Sequence, residues 1–255
     1  MSSALTRRGV LSLAAASALG LAGCAAQAPA ADSAAPATTH RSSASTPTPT
    51  PTPTPTFDST AHSISAPDSL WVVVDKQRPL PSTFVPSVVP VPVAHTNPPL
   101  LRGAAAAAVV QLFAAARKDG LLLASNSTYR SYADQREVYD SDLADLGRAK
   151  ADLLTAHPGC SEHQTGLAID IGAESGRCTL DTCLGAMPEG RWLAANAWRF
   201  GFLLRYPKDK VAVTGFQYEP WHFRYLGTDL AHHLHRIGVQ TLEEFFGLPA
   251  APVYT

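Results

Sequence analysis

Clusters of basic residues are missing from this chain. Its 20 Lys and Arg are scattered among 21 Asp and Glu, for a formal net charge of −1, and isolated cations cannot build a surface that tracks phosphates. Nucleic acid is therefore excluded as a partner. The apolar run from Val10 to Leu21 falls short of the roughly 20 residues that a membrane-spanning helix needs. Cysteine is sparse, at four residues, and no pair stands in the Cys-x-x-Cys form of a structural zinc site. The N-terminal quarter also lacks any periodic pattern that could bury a core, so one folded domain is expected in the remainder.

That quarter holds an export signal and a spacer instead. Residues 1–24 combine Arg7 and Arg8, the apolar run and the small residues Leu21-Ala22-Gly23-Cys24. The last four resemble a bacterial lipobox, and Thr6-Arg7-Arg8-Gly9-Val10-Leu11 resembles a twin-arginine signal. A lipoprotein acylated at Cys24 is expected, in place of an ordinary secretory protein cleaved nearby. Loss of Met1 to Gly23 would remove two cations and no acid, making the charge more negative. Residues 25–66 are rich in Ala, Ser, Thr and Pro, with strict Thr-Pro alternation from Thr46 to Thr56. Such a tract takes an extended polyproline path and forms no core. As a disordered tether it would reach on the order of 100 Å, which would carry an enzyme anchored to the outer face of the cell membrane into the cell wall.

From residue 67 to 255 the pattern is that of an α+β domain: a small, mostly antiparallel sheet flanked by helices. Leu70-Trp71-Val72-Val73-Val74 is β-like, and a proline-punctuated arm follows it to Pro99. Leu101 to Lys118 has Ala105, Ala108, Val109, Leu112 and Phe113 at helical spacing, ahead of a stop at Gly120. Leu121 to Ser125 reads as a buried strand, Tyr132 to Leu146 as a helix, Arg191 to Phe200 as a helix and Gly201 to Tyr206 as a strand. Pro220 would be a defect in a central ladder, so the strand from Glu219 to Tyr225 is expected at an edge or a bulge. Leu242 to Phe246 closes the chain as a short helix.

Chemistry concentrates in Ser161-Glu162-His163-Gln164-Thr165-Gly166-Leu167-Ala168-Ile169-Asp170 and in Glu219-Pro220-Trp221-His222. Separately, His and Asp often serve only as capping or core hydrogen-bond partners. Together these words supply His163, Asp170 and His222, two imidazoles and a carboxylate, which is the donor set of a catalytic zinc with an open position. Glu219 is left over as a base. His157, His232, His233 and His235 fall outside these words and are not taken as ligands.

With Ser127-Thr128-Tyr129-Arg130-Ser131-Tyr132-Ala133-Asp134-Gln135, Gly201-Phe202-Leu203-Leu204-Arg205-Tyr206-Pro207 and His222-Phe223-Arg224-Tyr225, the words resemble the VanY-type zinc D,D-carboxypeptidases from about residue 68 to the C-terminus. Thr128 stands where that family often has glycine. The resemblance implies a Hedgehog/D,D-peptidase-like zinc fold and one Zn2+ on His163, Asp170 and His222. It also implies Glu219 as general base and acid, with Arg130 as the fork for a terminal carboxylate. Gln135 and Ser161 would line the substrate pocket, and Tyr206 and Trp221 are read mainly as packing.

The implied reaction is removal of the terminal D-Ala from peptidoglycan stem peptides by a monomeric enzyme. An L,D-carboxypeptidase or an endopeptidase on the same fold is the alternative, and a non-catalytic, zinc-containing wall-binding protein is the reading from another class. Extracytoplasmic relatives carry similar short cysteine pairs, which implies a Cys178–Cys183 disulfide and a free Cys160. From the residues alone, pairing of Cys160 with either of them stays open.

Overall fold

The computed structural model describes residues 57–255. The expected signal peptide, Cys24 and the tether up to residue 56 lie outside the described residues. The last part of the expected tether is described, and there Phe57 stacks on Trp71 and Ile64 packs against the cluster that Trp71 belongs to.

In chain order, a two-stranded ribbon of β1 (Val89–Pro90) and β2 (Leu100–Leu101) leads into α1 (Gly103–Lys118) and β3 (Leu123–Ser127). Then come α2 (Tyr132–Leu146), α3 (Arg148–Leu154), a 3-10 turn at Glu162–Thr165 and β4 (Ala168–Ala173). After a second 3-10 turn at Thr182–Ala186 follow α4 (Pro188–Asn196), a third such turn at Ala197–Phe200, β5 (Phe202–Leu204) and α5 (Val211–Thr214). The chain closes with β6 (His222–Tyr225), α6 (Thr228–Ile237) and α7 (Leu242–Phe246).

Strands β3, β4, β6 and β5 lie in that order in one fully antiparallel sheet. The alanine run of α1 lets the helix lie close to it. Ala105, Ala108, Val109, Leu112 and Ala116 form a buried stripe against Leu123, Ile169, Ile171 and Phe223. Burying each large side chain there contributes about 1.5–3 kcal/mol. Leu101, expected at the start of the helix, belongs to β2 and is equally buried.

Two local expectations are corrected. Strand β6 is flanked on both sides, by β4 and β5, rather than lying at an edge. Pro220 is tolerated because it sits in a turn ahead of the strand, where the His222 N–H donates to the Glu219 carbonyl at 3.1 Å. Residues 70–74 join no sheet. Their alternation serves two cores instead, Trp71 and Val73 packing with α6 and α7 while Val72 and Val74 pack with Leu80.

Candidate metal centre and active site

Sheet register sets the centre. Asp170 of β4 lies directly opposite His222 of β6, and Ser127 of β3 lies opposite Asp170 on its other side, just past a register shift between Ser125 and Ser127. Beyond that bulge the chain turns over the site, and the Thr128 carbonyl accepts from His163 Nδ1 at 2.6 Å. His163 is carried in by the 3-10 turn, which Ser161 caps by accepting from the His163 N–H at 3.3 Å. A left-handed Gly166, with φ of 66°, then swings the chain into β4.

The four elements bring His163, Asp170 and His222 together as a buried group whose donor atoms all lie within 4.8 Å of one another. His163 Nε2 stands 3.3 Å from Asp170 Oδ2, and His222 Nδ1 stands 3.2 Å from Asp170 Oδ1. The outer nitrogen of each ring already has a partner, Thr128 O for His163 and Glu162 Oε2, at 3.2 Å, for His222. Buried Asp170 Oδ1 has no hydrogen-bond partner. Two imidazoles and a carboxylate thus converge with their donor atoms on one point, and this N/O donor set fits zinc.

Electrostatics separate the carboxylates. Burial opposes ionisation of Asp170, but the facing His163 and His222 outweigh it and hold this carboxyl well below its usual range. Glu219 is pushed up to about 8, chiefly by burial. Its Oε2 lies 3.8 Å from His222 Nδ1, and its N–H donates to the Tyr206 carbonyl at 3.1 Å. At His222 burial disfavours the imidazolium, yet Asp170 and Glu162 prevail and raise it to about 9. His163 is lowered, mainly by burial. A carboxyl group titrating near neutrality beside a ligand set is suited to moving a proton in both directions.

A cavity of about 410 Å³ opens on this group, with Arg130, Gln135 and Ser161 in its wall. Arg130 donates to Gln135 Oε1 and Ser127 Oγ, each at 2.9 Å, and has no carboxylate partner among the described residues. Its charge is therefore available to an incoming anion. Gln135 is almost fully buried and spends both ends of its amide on protein, donating to the Ala156 carbonyl at 2.7 Å. It acts on the pocket by holding Arg130. Tyr206 and Trp221 are buried in the same wall.

The Cys178–Cys183 disulfide is formed, with Cα atoms 5.6 Å apart, and Cys160 is free and buried. The disulfide loop delivers Leu180, half exposed, to the cavity.

Sequence reasoning gave no role to Glu162, Arg205, Arg224 or Glu243, which form a fully buried ion cluster beneath His222. The available signal was an arginine between Leu204 and Tyr206 and another between Phe223 and Tyr225, since guanidinium groups enclosed in apolar strands demand carboxylates.

Comparison with known proteins gives a consistent result. A sequence profile of the VanY family, described as D-alanyl-D-alanine carboxypeptidase, matches residues 99–228. The chain is 38% identical over 190 residues to the protein YodJ of Bacillus subtilis (strain 168), covering 72% of this chain and 69% of that one. Among solved structures, the LdcB LD-carboxypeptidase is 39% identical with a TM-score of 0.66, over 71% of this chain and 87% of that chain. A VanY D,D-pentapeptidase from a VanB-type vancomycin resistance cassette, solved with Zn(II), is 33% identical with a TM-score of 0.59, over 69% and 97%. VanYB in complex with D-alanine-D-alanine is 34% identical with a TM-score of 0.60, over 69% and 96%.

Proposed function

Because this chain belongs to the VanY family of D-alanyl-D-alanine carboxypeptidases, we propose that it is a zinc peptidase that removes the terminal D-Ala from peptidoglycan stem peptides ending in D-Ala-D-Ala. The observation that carries the reading is the convergence of three metal donors, a carboxyl group titrating near neutrality and an arginine free of carboxylates on one cavity. When bound, zinc supplies Lewis acidity, lowering the pKa of water from 15.7 toward about 7 and polarising the scissile carbonyl.

The protein's own groups do the rest. Arg130, pinned by Gln135 and Ser127, receives the terminal carboxylate as a planar fork and fixes the register of the peptide. Glu219 takes the proton of the attacking water and returns it to the departing amine. Tyr206, Phe216 and Trp221 share the cavity wall with Glu219, which is itself buried. Turnover should rise with pH as Glu219, whose ionisation burial pushes up to about 8, loses its proton.

Similarity to the LdcB LD-carboxypeptidase favours a second reading, cleavage of an L,D bond in a tetrapeptide stem. Mass analysis of synthetic penta- and tetrapeptide stems, incubated with the purified chain with and without a zinc chelator, tests both. Chelator-sensitive loss of one alanine from the pentapeptide is expected. Loss from the tetrapeptide alone would select the second reading, and two intact peptides with zinc bound would overturn both.

The signal-like N-terminus supports a further proposal, anchoring through an acylated Cys24 at the outer face of the cell membrane. Among the described residues no helix is long and apolar enough to cross a membrane. Cys24→Ala should move the protein from the membrane fraction to the soluble fraction, and unchanged fractionation would refute the anchor.

A further inference from the structure

Beneath the metal centre, Glu162 Oε1 accepts from Arg205 Nε and from Arg224 Nη1, both at 2.9 Å. Arg205 turns its remaining nitrogens to Glu243 at 3.0 and 2.6 Å, and Arg224 Nη2 donates to the carbonyls of Leu70 and Val72 at 3.1 and 2.9 Å. All four charged side chains are fully buried and the two signs balance. Desolvating such a cluster costs several kcal/mol per ion, and apolar side chains of similar volume often hold a fold together as well or better. A simple staple would not need it. One side-chain contact leads from the cluster to the metal centre: Glu162 Oε2 faces His222 Nε2 at 3.2 Å.

His222 lies between competing carboxylates. Glu162 faces Nε2, while Asp170 and Glu219 face Nδ1 at 3.2 and 3.8 Å. A neutral imidazole has one proton. Placed on Nδ1, it would donate to Asp170 and close the nitrogen that points into the centre. His163 has no such ambiguity, because its outer nitrogen meets a carbonyl, which can only accept.

We propose that Glu162 is a positioning residue, held by Arg205 and Arg224, that draws the His222 proton to Nε2 and so leaves Nδ1 open toward the centre, setting the affinity of the site for its divalent ion. The inference rests on the metal-centre reading above and extends it to a residue outside the donor set.

Zinc affinity of the full chain, measured by competition with a chromophoric chelator, tests it. Glu162→Gln should bind zinc about 10–100-fold more weakly. Glu243→Gln, which disturbs the same cluster away from His222, should lower the melting temperature and leave zinc affinity unchanged. Equal affinities of wild type and Glu162→Gln overturn the proposal, as does equal weakening by both variants. A wild type that binds no zinc would instead sink the metal reading itself. Should Glu162→Gln fail to fold, 15N NMR of the zinc-loaded wild type decides. A slowly exchanging, strongly downfield proton on His222 Nε2 supports the assignment, and an unprotonated Nε2 refutes it.

Discussion

Two glutamates flank the same imidazole and have been driven in opposite directions. Glu162 and Glu219 are both buried against His222, on its two ring nitrogens. Burial opposes ionisation at each, but at Glu162 the guanidinium groups of Arg205 and Arg224 overcome it and hold that carboxyl far below its ordinary range. At Glu219 burial prevails over His222 and, more weakly, Arg130 across the cavity, and the carboxyl rises to about 8. What separates a fixed anion from a proton carrier here is the presence of paired cations rather than depth in the protein.

The most drastic way to break that contrast is to remove the proton carrier. Glu219→Gln should lower turnover by a factor on the order of 10²–10⁴ while bound zinc, measured after dialysis, stays stoichiometric. Variant activity within a few-fold of wild type would remove Glu219 as the base.

On the other side of the ring, Arg205→Leu should destabilise the protein by about 3–5 kcal/mol in urea denaturation, because Glu162 and Glu243 are left buried with too few cations. Replacing Arg205 and Glu243 together by leucine should recover part of that loss.

The two glutamates should also leave opposite marks on pH-dependent stability in the metal-free protein. Glu219 sits above its ordinary value of 4.5, so the native state keeps a proton that the unfolded chain has released between pH 4.5 and about 8. Its contribution is full below the lower value and lost as pH rises through the upper one, with a slope of at most about 1.4 kcal/mol per pH unit. Glu162 is depressed, so its contribution is present above 4.5 and lost as pH falls below it. Chemical denaturation across this range should therefore show Glu219→Gln gaining on wild type toward alkaline pH. A constant difference would contradict the raised ionisation.

The smallest effect is expected from Arg130→Lys, which keeps the cation and discards the fork. Loss of one charged hydrogen bond, about 1.5 kcal/mol, corresponds to a roughly tenfold higher KM for peptides ending in a free carboxylate. Rates on peptide amides should not change.

Much of this was legible in the residues, for identifiable reasons. The alanine stripe of α1 carries its own helical period, and the run from Tyr132 to Leu146 opens with a Ser131–Asp134 capping box. His163, Asp170, His222 and Glu219 stand out because their chemistry is compressed into two short words. The central position of β6 was hidden by Pro220, whose turn occupies the residues just ahead of the strand. The role of residues 70–74 was hidden because alternation reports two buried faces and does not say what covers them. Glu162 was read as one letter of a motif, since its partners are supplied from 43 and 62 positions further along the chain.

Those separations bear on the order of assembly. Contacts between distant residues form late, because each must first close the intervening loop. The cluster that steadies His222 draws on the arm at Leu70 and Val72, the 3-10 turn at Glu162, Arg205 just after β5, Arg224 of β6 and Glu243 of α7. While α1 and α2 can form from local contacts, Glu162 waits for Arg205 and Arg224, supplied 43 and 62 positions further along the chain. A growing or half-folded chain thus carries every residue of the active site in sequence yet holds no organised hydrolytic centre.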